Sequence, residues 1–212
     1  MSPARTAAGV ILDRDGTLVD VVRDEELGIV TTAFHPSQLR LLPGVVDGLR
    51  MLADAGFALA IATNQPGAAK GQTSREAIER TNDALVALLA DHGVVIARVA
   101  CCLHHPDGGP GGDEALVGPC PCRKPAPGML EALVEALGLD RSRSWMVGDT
   151  EVDARAGRAA RLRNALVFDD RRCDLCAFRP PAGPSPAPRV SVGVDLHAAR
   201  FDDVARAIVA AR

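Results

Sequence analysis

The 212-residue sequence is poor in aromatic residues, which make up only 3% of it, with one Trp and no Tyr. Proteins that bind single-stranded nucleic acid stack bases on aromatic side chains, so that class lacks its usual binding platform here. An excess of positive charge is also missing, because the net charge is −3 and the isoelectric point is about 5.9. We therefore expect no nucleic-acid partner.

Long apolar runs are absent as well. No stretch approaches the roughly 20 apolar residues that a membrane span needs, and no apolar segment follows a basic start, as it would in a signal peptide. We expect a monomeric cytoplasmic protein with no membrane partner. Thiols stay reduced in that compartment, so the six Cys are interpreted as metal ligands or plain thiols before disulfides.

Apolar runs and helical patterns alternate along the chain. With 47% hydrophobic residues, we expect one domain over residues 1–212. The patterns predict strands at 9–12, 57–62, 94–100, 145–147 and 165–168. Helices are predicted at 45–55, from Thr73 or Ser74 onward, and at 128–137, 151–160 and 201–211, with Thr73 and Glu76 at the spacing of a capping box. This order predicts an α/β fold, a Rossmann-like parallel sheet with helices on both faces.

The remaining segments are predicted as loops. Residues 103–126 are rich in Gly and Pro, and residues 169–190 form a Pro- and Arg-rich excursion. The spaces after the first and second predicted strands hold one loop and one helix–strand unit, so no large cap domain is expected.

Polar side chains follow three of the predicted strands directly. Asp13 and Asp15 follow the first strand, Thr63 and Asn64 the second, and Asp149 a later one. Ligands of parallel α/β sheets bind beyond the carboxyl ends of the strands, where all these groups would meet. Their convergence carries more weight than any single motif.

The pair Asp13 and Asp15 suits phosphate chemistry. A carboxylate nucleophile can form an acyl-phosphate, and a second carboxylic acid can protonate the leaving oxygen and then activate water. Because a carboxylate repels phosphate, a divalent cation is needed, and Mg²⁺ held by Asp13, Asp15 and Asp149 fits, with Asp153 as a ligand or an outer partner. An isolated Asp-x-Asp is at least as often a helix cap or turn.

Two further residues could hold the phosphate itself. Thr63 offers a hydroxyl and Lys124 a positive charge. Alone, Thr63 is more often a cap and Lys124 a solvated surface charge. Together with the carboxylates they form the series nucleophile, hydroxyl, lysine, acid.

This series resembles the haloacid dehalogenase superfamily of phosphohydrolases. Asp13 and Asp15 match its first motif, Thr63 its second, Lys124 its third, and Asp149 with Asp153 its fourth. An Asp at position 15 is similar to the phosphatase and phosphomutase branch. The resemblance implies that Asp13 is the nucleophile and Asp15 the general acid and base.

A closer resemblance covers roughly residues 9–168. Segments 63–67 and 120–125, with the Cys/His loop between them, are similar to the D,D-heptose 1,7-bisphosphate phosphatases, with the histidinol-phosphate phosphatases as the nearest sibling. The implied substrate is a small phosphorylated sugar, with D-glycero-D-manno-heptose 1,7-bisphosphate, dephosphorylated at C7, the best single choice. Asn64 and Arg123 are expected to bind substrate, with residues 20–43 and the Cys/His loop contributing to specificity.

Two short ligand pairs in residues 101–124 form the pattern of a closed tetrahedral Zn²⁺ site. The best set is Cys102, His104, Cys120 and Cys122, and the resemblance implies the same four. Cys101 would then end the strand, facing the core. With four protein ligands the zinc would be structural, and it would hold Lys124 and Arg123 over the phosphate. Reduced thiols near a turn are the plain alternative.

The pair Cys173 and Cys176 forms a further C-x-x-C with no second pair for zinc. We favour two ordinary thiols, and a partial metal site or a redox pair is the minority interpretation.

Three other functions remain open from the sequence. A phosphatase for histidinol phosphate or another small metabolite is the first. A zinc-ribbon nucleic-acid module leaves the Asp-x-Asp unexplained. A catalytically inactive relative that only binds a ligand is opposed by four intact motifs.

Overall fold

A computed structural model describes residues 7–24, 26, 28–168 and 193–212. The predicted excursion at 169–190, with Cys173 and Cys176, lies outside the described residues.

The described residues form eight strands and five α-helices. The strands are β1 (Gly9–Leu12), β2 (Val22–Asp24), β3 (Ile29–Thr31), β4 (Ala58–Asn64), β5 (Arg98–Cys102), β6 (Trp145–Gly148), β7 (Arg163–Val167) and β8 (Leu196–Ala198). The α-helices are α1 (Val45–Asp54), α2 (Arg75–Asp91), α3 (Gly128–Leu137), α4 (Glu151–Ala159) and α5 (Phe201–Ala210). Short 3-10 turns lie at Pro36–Gln38, Glu114–Leu116 and Arg141–Arg143.

Six strands form one parallel sheet in the order β5-β4-β1-β6-β7-β8. The strands that carry the predicted site residues, β4, β1 and β6, are adjacent at its centre. The predicted Rossmann-like α/β fold is therefore confirmed.

Alternation along the central strand separates two cores. Val10 and Leu12 of β1 face the layer that contains α1, α2 and α5, whereas Ile11 faces α3 and α4. Side chains on successive strand residues point to opposite faces, so a fully apolar strand is buried on both sides. Such a sheet holds its carboxyl edge rigidly between two packed layers.

The third predicted strand was placed wrongly. The sequence predicted 94–100, but β5 begins at Arg98 and ends at Cys102. Val94 is buried in the turn that closes α2, where its N–H donates to Leu89 O, and Val95 is 77% exposed. Cys102 therefore ends the strand and not Cys101. The apolar run covers both the turn and the strand, so its pattern alone could not separate them.

Three short strands were not predicted. β8 extends the sheet beyond β7, and β2 pairs with β3 as an antiparallel hairpin between β1 and α1. Strands of three residues carry too little pattern to detect. Helix α2 is capped by Ser74, whose hydroxyl accepts the Ala77 N–H at 3.1 Å, so the capping residue is Ser74 rather than Thr73.

The described residues contain no large cap domain. The β2–β3 hairpin and α1 are the main elements between β1 and β4, and α2 is the one helix between β4 and β5. None of the helices within those residues is long and apolar enough to cross a membrane.

Candidate active site

The carboxyl ends of β1, β4 and β6 meet around one cavity of about 430 Å³. All the residues predicted for the carboxylate site lie in its wall. The lining consists of Asp13, Asp15, Thr63, Asn64, Arg123, Lys124, Pro125, Asp149, Thr150, Val152 and Asp153.

A tight turn after β1 places Asp13 against the β6 end. The Asp13 N–H continues the ladder by donating to Val147 O at 2.8 Å, and the N–H groups of Leu18 and Val19 both donate to Arg14 O. Gly16 adopts a φ of 82°, and a Cβ there would lie 2.2 Å from Asp149 Oδ2. Only glycine combines that backbone conformation with this close approach. The turn therefore brings the carboxylates of Asp13 and Asp149 to one point.

Lys124 reaches into this group although it is only 3% exposed. Its Nζ donates to Asp13 Oδ1 at 2.5 Å, to Asp153 Oδ1 at 2.6 Å and to Ala62 O at 2.8 Å. Burial opposes its charge, but the two carboxylates outweigh burial and raise the pKa of Lys124. Lys124 is therefore a fixed positive charge inside the cavity and not a solvated surface lysine.

Asp153 uses both its carboxylate oxygens within the protein. Oδ1 accepts from Lys124, and Oδ2 accepts from the hydroxyl of Thr150 at 2.6 Å and its N–H at 3.2 Å. The residue stands in the first turn of α4, where a carboxylate is favoured by the helix dipole. This geometry favours a role for Asp153 in orienting Lys124, rather than in binding the metal directly.

Asp13 and Asp149 have too few protein partners to balance their negative charge. Burial raises the pKa of Asp13 to about 7, and Lys124 only partly offsets it. Burial and repulsion from Asp13 raise the pKa of Asp149 well above its ordinary value. Asp13, Asp149 and Asp153 offer oxygens within 4.8 Å of one another. A divalent cation beside Asp13 and Asp149 would neutralise them, and an all-oxygen set is what Mg²⁺ prefers. The residues present therefore fit the predicted metal.

Asp15 is turned toward a different set of donors. Its carboxylate accepts from Arg14 Nε at 3.0 Å, from Arg14 Nη2 at 3.2 Å and from Gln65 Nε2 at 2.6 Å. Neither donor was assigned a role from the sequence. Gln65 directly follows the predicted pair Thr63 and Asn64, and that adjacency was a signal for it. Arg14 gave none, because a fully buried arginine is uncommon.

The two residues predicted at the end of β4 have distinct partners. Thr63 is buried, and its hydroxyl accepts from Gln65 Nε2 at 2.8 Å. The Asn64 amide bonds the backbone of Lys124 twice, donating to its carbonyl and accepting from its N–H, both at 3.0 Å. Asn64 therefore fixes the backbone that carries Lys124, and its expected contact with substrate stays a prediction.

The four predicted zinc ligands converge beside the cavity. Cys122 Sγ lies 3.2 Å from Cys102 Sγ, 3.4 Å from Cys120 Sγ and 3.5 Å from His104 Nδ1. Cys102 Sγ lies 3.7 Å from both Cys120 Sγ and His104 Nδ1. Sulfurs in a disulfide would be about 2.05 Å apart, whereas ligands of a tetrahedral Zn²⁺ are roughly 3.3–3.8 Å apart, given its bond lengths. The spacing of the four side chains fits a zinc site and is too long for a disulfide.

The cysteine cluster is joined to the cavity by Arg123, whose Nη1 donates to His104 O at 3.0 Å. Burial raises the pKa of the Cys102 thiol, so a cation is needed to hold it as a thiolate. Burial raises the pKa of the Cys101 thiol to about 11, and this residue lies on the other side of β5 near Asn82. It is not part of the cluster.

Comparison with known proteins identifies the family. The HAD-hydrolase-like family model matches residues 121–177. The D-glycero-beta-D-manno-heptose-1,7-bisphosphate 7-phosphatase of Yersinia pestis is 35% identical over 164 residues, covering 77% of this chain and 81% of that protein. The chain belongs to the haloacid dehalogenase superfamily of phosphatases. The Escherichia coli K12 protein of the same name as the Yersinia one is 35% identical over 165 residues, covering 77% and 80%.

This phosphatase shares its fold with a solved relative. The crystal structure of D,D-heptose 1,7-bisphosphate phosphatase from B. bronchiseptica, complexed with magnesium and phosphate, matches with a TM-score of 0.71 at 24% identity, over 97% of this chain and 99% of that one. The identity with the Yersinia and Escherichia proteins confirms the resemblance inferred from the motifs. The protein is a phosphoric monoester hydrolase.

Proposed function

We propose that the protein removes the C7 phosphate of D-glycero-D-manno-heptose 1,7-bisphosphate through a phospho-aspartate on Asp13. The observation that carries this proposal is the pairing of Asp13 with a buried Lys124, 2.5 Å apart, in the wall of the cavity. The relatives that share about a third of the sequence are named for this substrate.

In the first step an oxygen of Asp13 attacks phosphorus and the bond to the sugar oxygen breaks. Asp15 donates its proton to that leaving oxygen. In the second step Asp15 takes a proton from water, whose oxygen attacks the acyl-phosphate and returns Asp13 as a carboxylate with free phosphate. Lys124 and the Thr63 hydroxyl stand beside the phosphoryl oxygens throughout and hold them in line.

The metal of the proposed reaction is Mg²⁺. The carboxylates of Asp13 and Asp149 and the backbone carbonyl of Asp15 would hold it, with Asp153 acting through Lys124. When bound, it offsets the charge of the phosphate and of the carboxylates around it. The relative crystallised with magnesium and phosphate supports this choice.

Zinc is proposed as a structural ion. Cys102, His104, Cys120 and Cys122 supply four ligands, which leaves no open position for substrate. Lys124 lies two residues beyond Cys122, so the metal would brace the segment that carries it. Arg123, tied to His104 O, would be held at the cavity rim by the same site.

The positive charge of Arg123 favours a substrate with two phosphates. This residue lines the cavity, and its Nη1 donates to His104 O at 3.0 Å, which holds it in place. A second phosphate gains from such a guanidinium, whereas the cationic amine of histidinol phosphate is repelled by it. Histidinol phosphate or another small metabolite is the runner-up.

A phosphate-release assay with Mg²⁺ tests the proposal. We expect both heptose 1,7-bisphosphate anomers to be turned over faster than histidinol phosphate, and Asp13→Asn to reduce turnover on the order of 10³-fold or more. Asp54→Asn, on the exposed side of α1, is the matched control and should match wild type. Histidinol phosphate as the faster substrate would transfer the proposal to the runner-up. Turnover of Asp13→Asn within about tenfold of wild type would exclude the phospho-aspartate.

A further inference from the structure

Arg14 is the most completely buried charged side chain at the site, with an exposed fraction of 0%. It lies between Asp13 and Asp15 in sequence, yet it does not line the cavity. Burying a guanidinium is costly unless each of its groups is hydrogen-bonded, and a hydrophobic residue would fill the same space more cheaply. A packing role alone therefore does not explain an arginine here.

The guanidinium binds the Asp15 carboxylate through a bidentate pair of hydrogen bonds. Nε donates to Oδ2 at 3.0 Å and Nη2 to Oδ1 at 3.2 Å. Gln65 Nε2 adds a third donor to Oδ2 at 2.6 Å. Such a fork fixes both the position and the plane of a carboxylate, which a single contact would leave free to rotate.

The rest of the guanidinium is anchored to two other elements. Nη1 donates to Asn82 Oδ1 of α2 at 2.7 Å. Nη2 shares its two N–H groups among Asp15 Oδ1, the Thr32 hydroxyl at 2.5 Å and Ala33 O at 3.0 Å, the last two lying just after β3. The hairpin segment and α2 therefore both determine where the fork points.

We propose that Arg14 is a positioning residue for Asp15, and that it ties the orientation of this carboxyl group to the segment after β3. The inference rests on the acid and base role proposed for Asp15. Arg14 does not touch the reacting atoms. It acts by fixing the direction in which the oxygens of Asp15 point in each of the two steps.

Orientation matters because Asp15 serves two different oxygens in turn. It must present its proton to the leaving oxygen and later accept one from water at nearly the same place. A carboxyl group with two free single bonds reaches that geometry only part of the time, and a misplacement of about 1 Å can cost on the order of 100-fold. Held by Arg14 and Gln65, the group starts each step with its plane defined.

The test uses Arg14→Lys, which keeps the charge and loses the fork. Release of the leaving group is measured in a single turnover, for an alkyl phosphate and for an aryl phosphate with a good leaving group. Because only the poor leaving group needs protonation, we expect the alkyl rate to fall about tenfold to a hundredfold more than the aryl rate. Substrate affinity should change little, since Arg14 does not reach the cavity.

A double-mutant cycle with Asp15→Asn separates positioning from general damage. If Arg14 acts through Asp15, Arg14→Lys should have almost no further effect on the alkyl rate once Asp15 is Asn. Thr81→Val is the matched control. It alters a buried polar residue of α2 beside Asn82, and Thr81 makes none of the contacts to Arg14 or Asp15 given above. It should leave the ratio of alkyl to aryl rates as in wild type.

Equal losses for the two substrates, or additive effects in the cycle, would overturn the inference. If Arg14→Lys does not fold, the same cycle is run with Asn82→Ala, which removes the acceptor that anchors Arg14 Nη1. Failure of the heptose bisphosphates as substrates leaves this test intact, because the aryl and alkyl phosphates need no sugar recognition. If Asp15→Asn itself shows no leaving-group dependence, both the acid role and the inference fall.

Discussion

Asp13 and Asp149 carry negative charge into a buried space where Lys124 alone cannot balance it. Asp13 has its pKa raised to about 7 by burial, and that of Asp149 is raised for the same reason and by Asp13 itself. An unfolded aspartate titrates near 3.9, so between about pH 4 and pH 7 the metal-free folded protein binds more protons than the unfolded chain. The stability of the metal-free protein should therefore fall as pH rises through that window.

Mg²⁺ should reverse this trend, because it binds the ionised carboxylates and competes with protons. We expect saturating Mg²⁺ to raise the melting temperature clearly at about pH 8 and only slightly at about pH 5.5. Thermal melts with and without Mg²⁺ at constant ionic strength provide the measurement. Asp149→Asn should show no Mg²⁺-dependent rise at either pH. An equal rise at both pH values would contradict the assignment of these carboxylates as the ligands.

Gly16 allows a direct test of the close approach between the β1 turn and Asp149. Gly16→Ala combines a left-handed backbone with a Cβ only 2.2 Å from Asp149 Oδ2. We expect activity to fall by about 100-fold or more through displacement of Asp149, because small misplacements are costly to catalysis. Steady-state kinetics at saturating Mg²⁺ measures it.

Gly93→Ala is the matched control for that change. Gly93 has a φ of 76°, and an added Cβ would meet nothing within 4 Å. It should lose about 1–2 kcal/mol of stability from backbone strain alone and keep wild-type turnover. Similar losses of activity in the two variants would mean that strain, and not the contact with Asp149, explains the effect at Gly16.

Among the elements, the Cys/His loop is held more firmly than its composition predicts. The sequence suggested that little except zinc would hold it. Its glycine-rich tip instead packs backbone to backbone on the turn after β4: a Cβ on Gly112 would lie 2.0 Å from Ala69 O, and one on Gly109 would lie 2.7 Å from Lys70 O. Leu116 also packs into a small apolar cluster with Ile78. The loop therefore has a second anchor that does not depend on metal.

Removal of zinc should accordingly loosen only part of the loop. Cys120→Ser is expected to lower the zinc content from one equivalent and to speed hydrogen exchange at residues 103–107 and 118–124, with less change at 109–116. Activity should fall by roughly tenfold to a hundredfold, because Lys124 is carried by the loosened segment. Elemental analysis and hydrogen exchange measure the two effects.

Cys101→Ser is the control, since it alters the neighbouring thiol, which lies outside the four-ligand cluster. It should retain one zinc and wild-type exchange. Uniform loosening of residues 103–124 in Cys120→Ser would show that the second anchor is too weak to act alone. Unchanged protection throughout, with zinc gone, would contradict the structural role of the metal.

Elements with strong patterns were predictable from the sequence, and those that depend on tertiary packing were not. The bounds of β1 and α3 agree with prediction, because an unbroken apolar strand and an amphipathic helix between Pro127 and Gly138 are locally determined. β8 owes its place to pairing with β7, which three residues cannot signal in advance.

At the scale of the molecule, the site could be predicted as a set of residues but not as an arrangement. The series of Asp13, Thr63, Lys124 and Asp149 is ordered in sequence, and parallel strands gather it at one edge. The direction of each side chain depends on long-range partners, such as Asn64 on the backbone of Lys124, 60 positions away. Those partners are set by the packed fold, so the grip of Arg14 on Asp15 could be found only in the structure.

The C-terminal helix is expected to contribute stability to the molecule and no group to catalysis. α5 packs against α1. Ile208 is fully buried in the same core as Val10 and Leu12 of β1. Ile208 does not line the active-site cavity. Ile208→Ala should therefore cost about 2–5 kcal/mol of the free energy of unfolding through a cavity in that core. Turnover measured well below the melting transition should stay within about twofold of wild type.

Chemical unfolding and kinetics on the same sample test the separation. Arg206→Ala is the control on the same helix, because its side chain is 62% exposed and its ion pair with Asp203 lies at the surface. That pair should contribute no more than about 1 kcal/mol. A large loss of turnover in Ile208→Ala at a temperature where the protein remains folded would mean that α5 positions the carboxyl edge of the sheet as well as stabilising it. A small stability loss would mean that the core around α5 relaxes to fill the space.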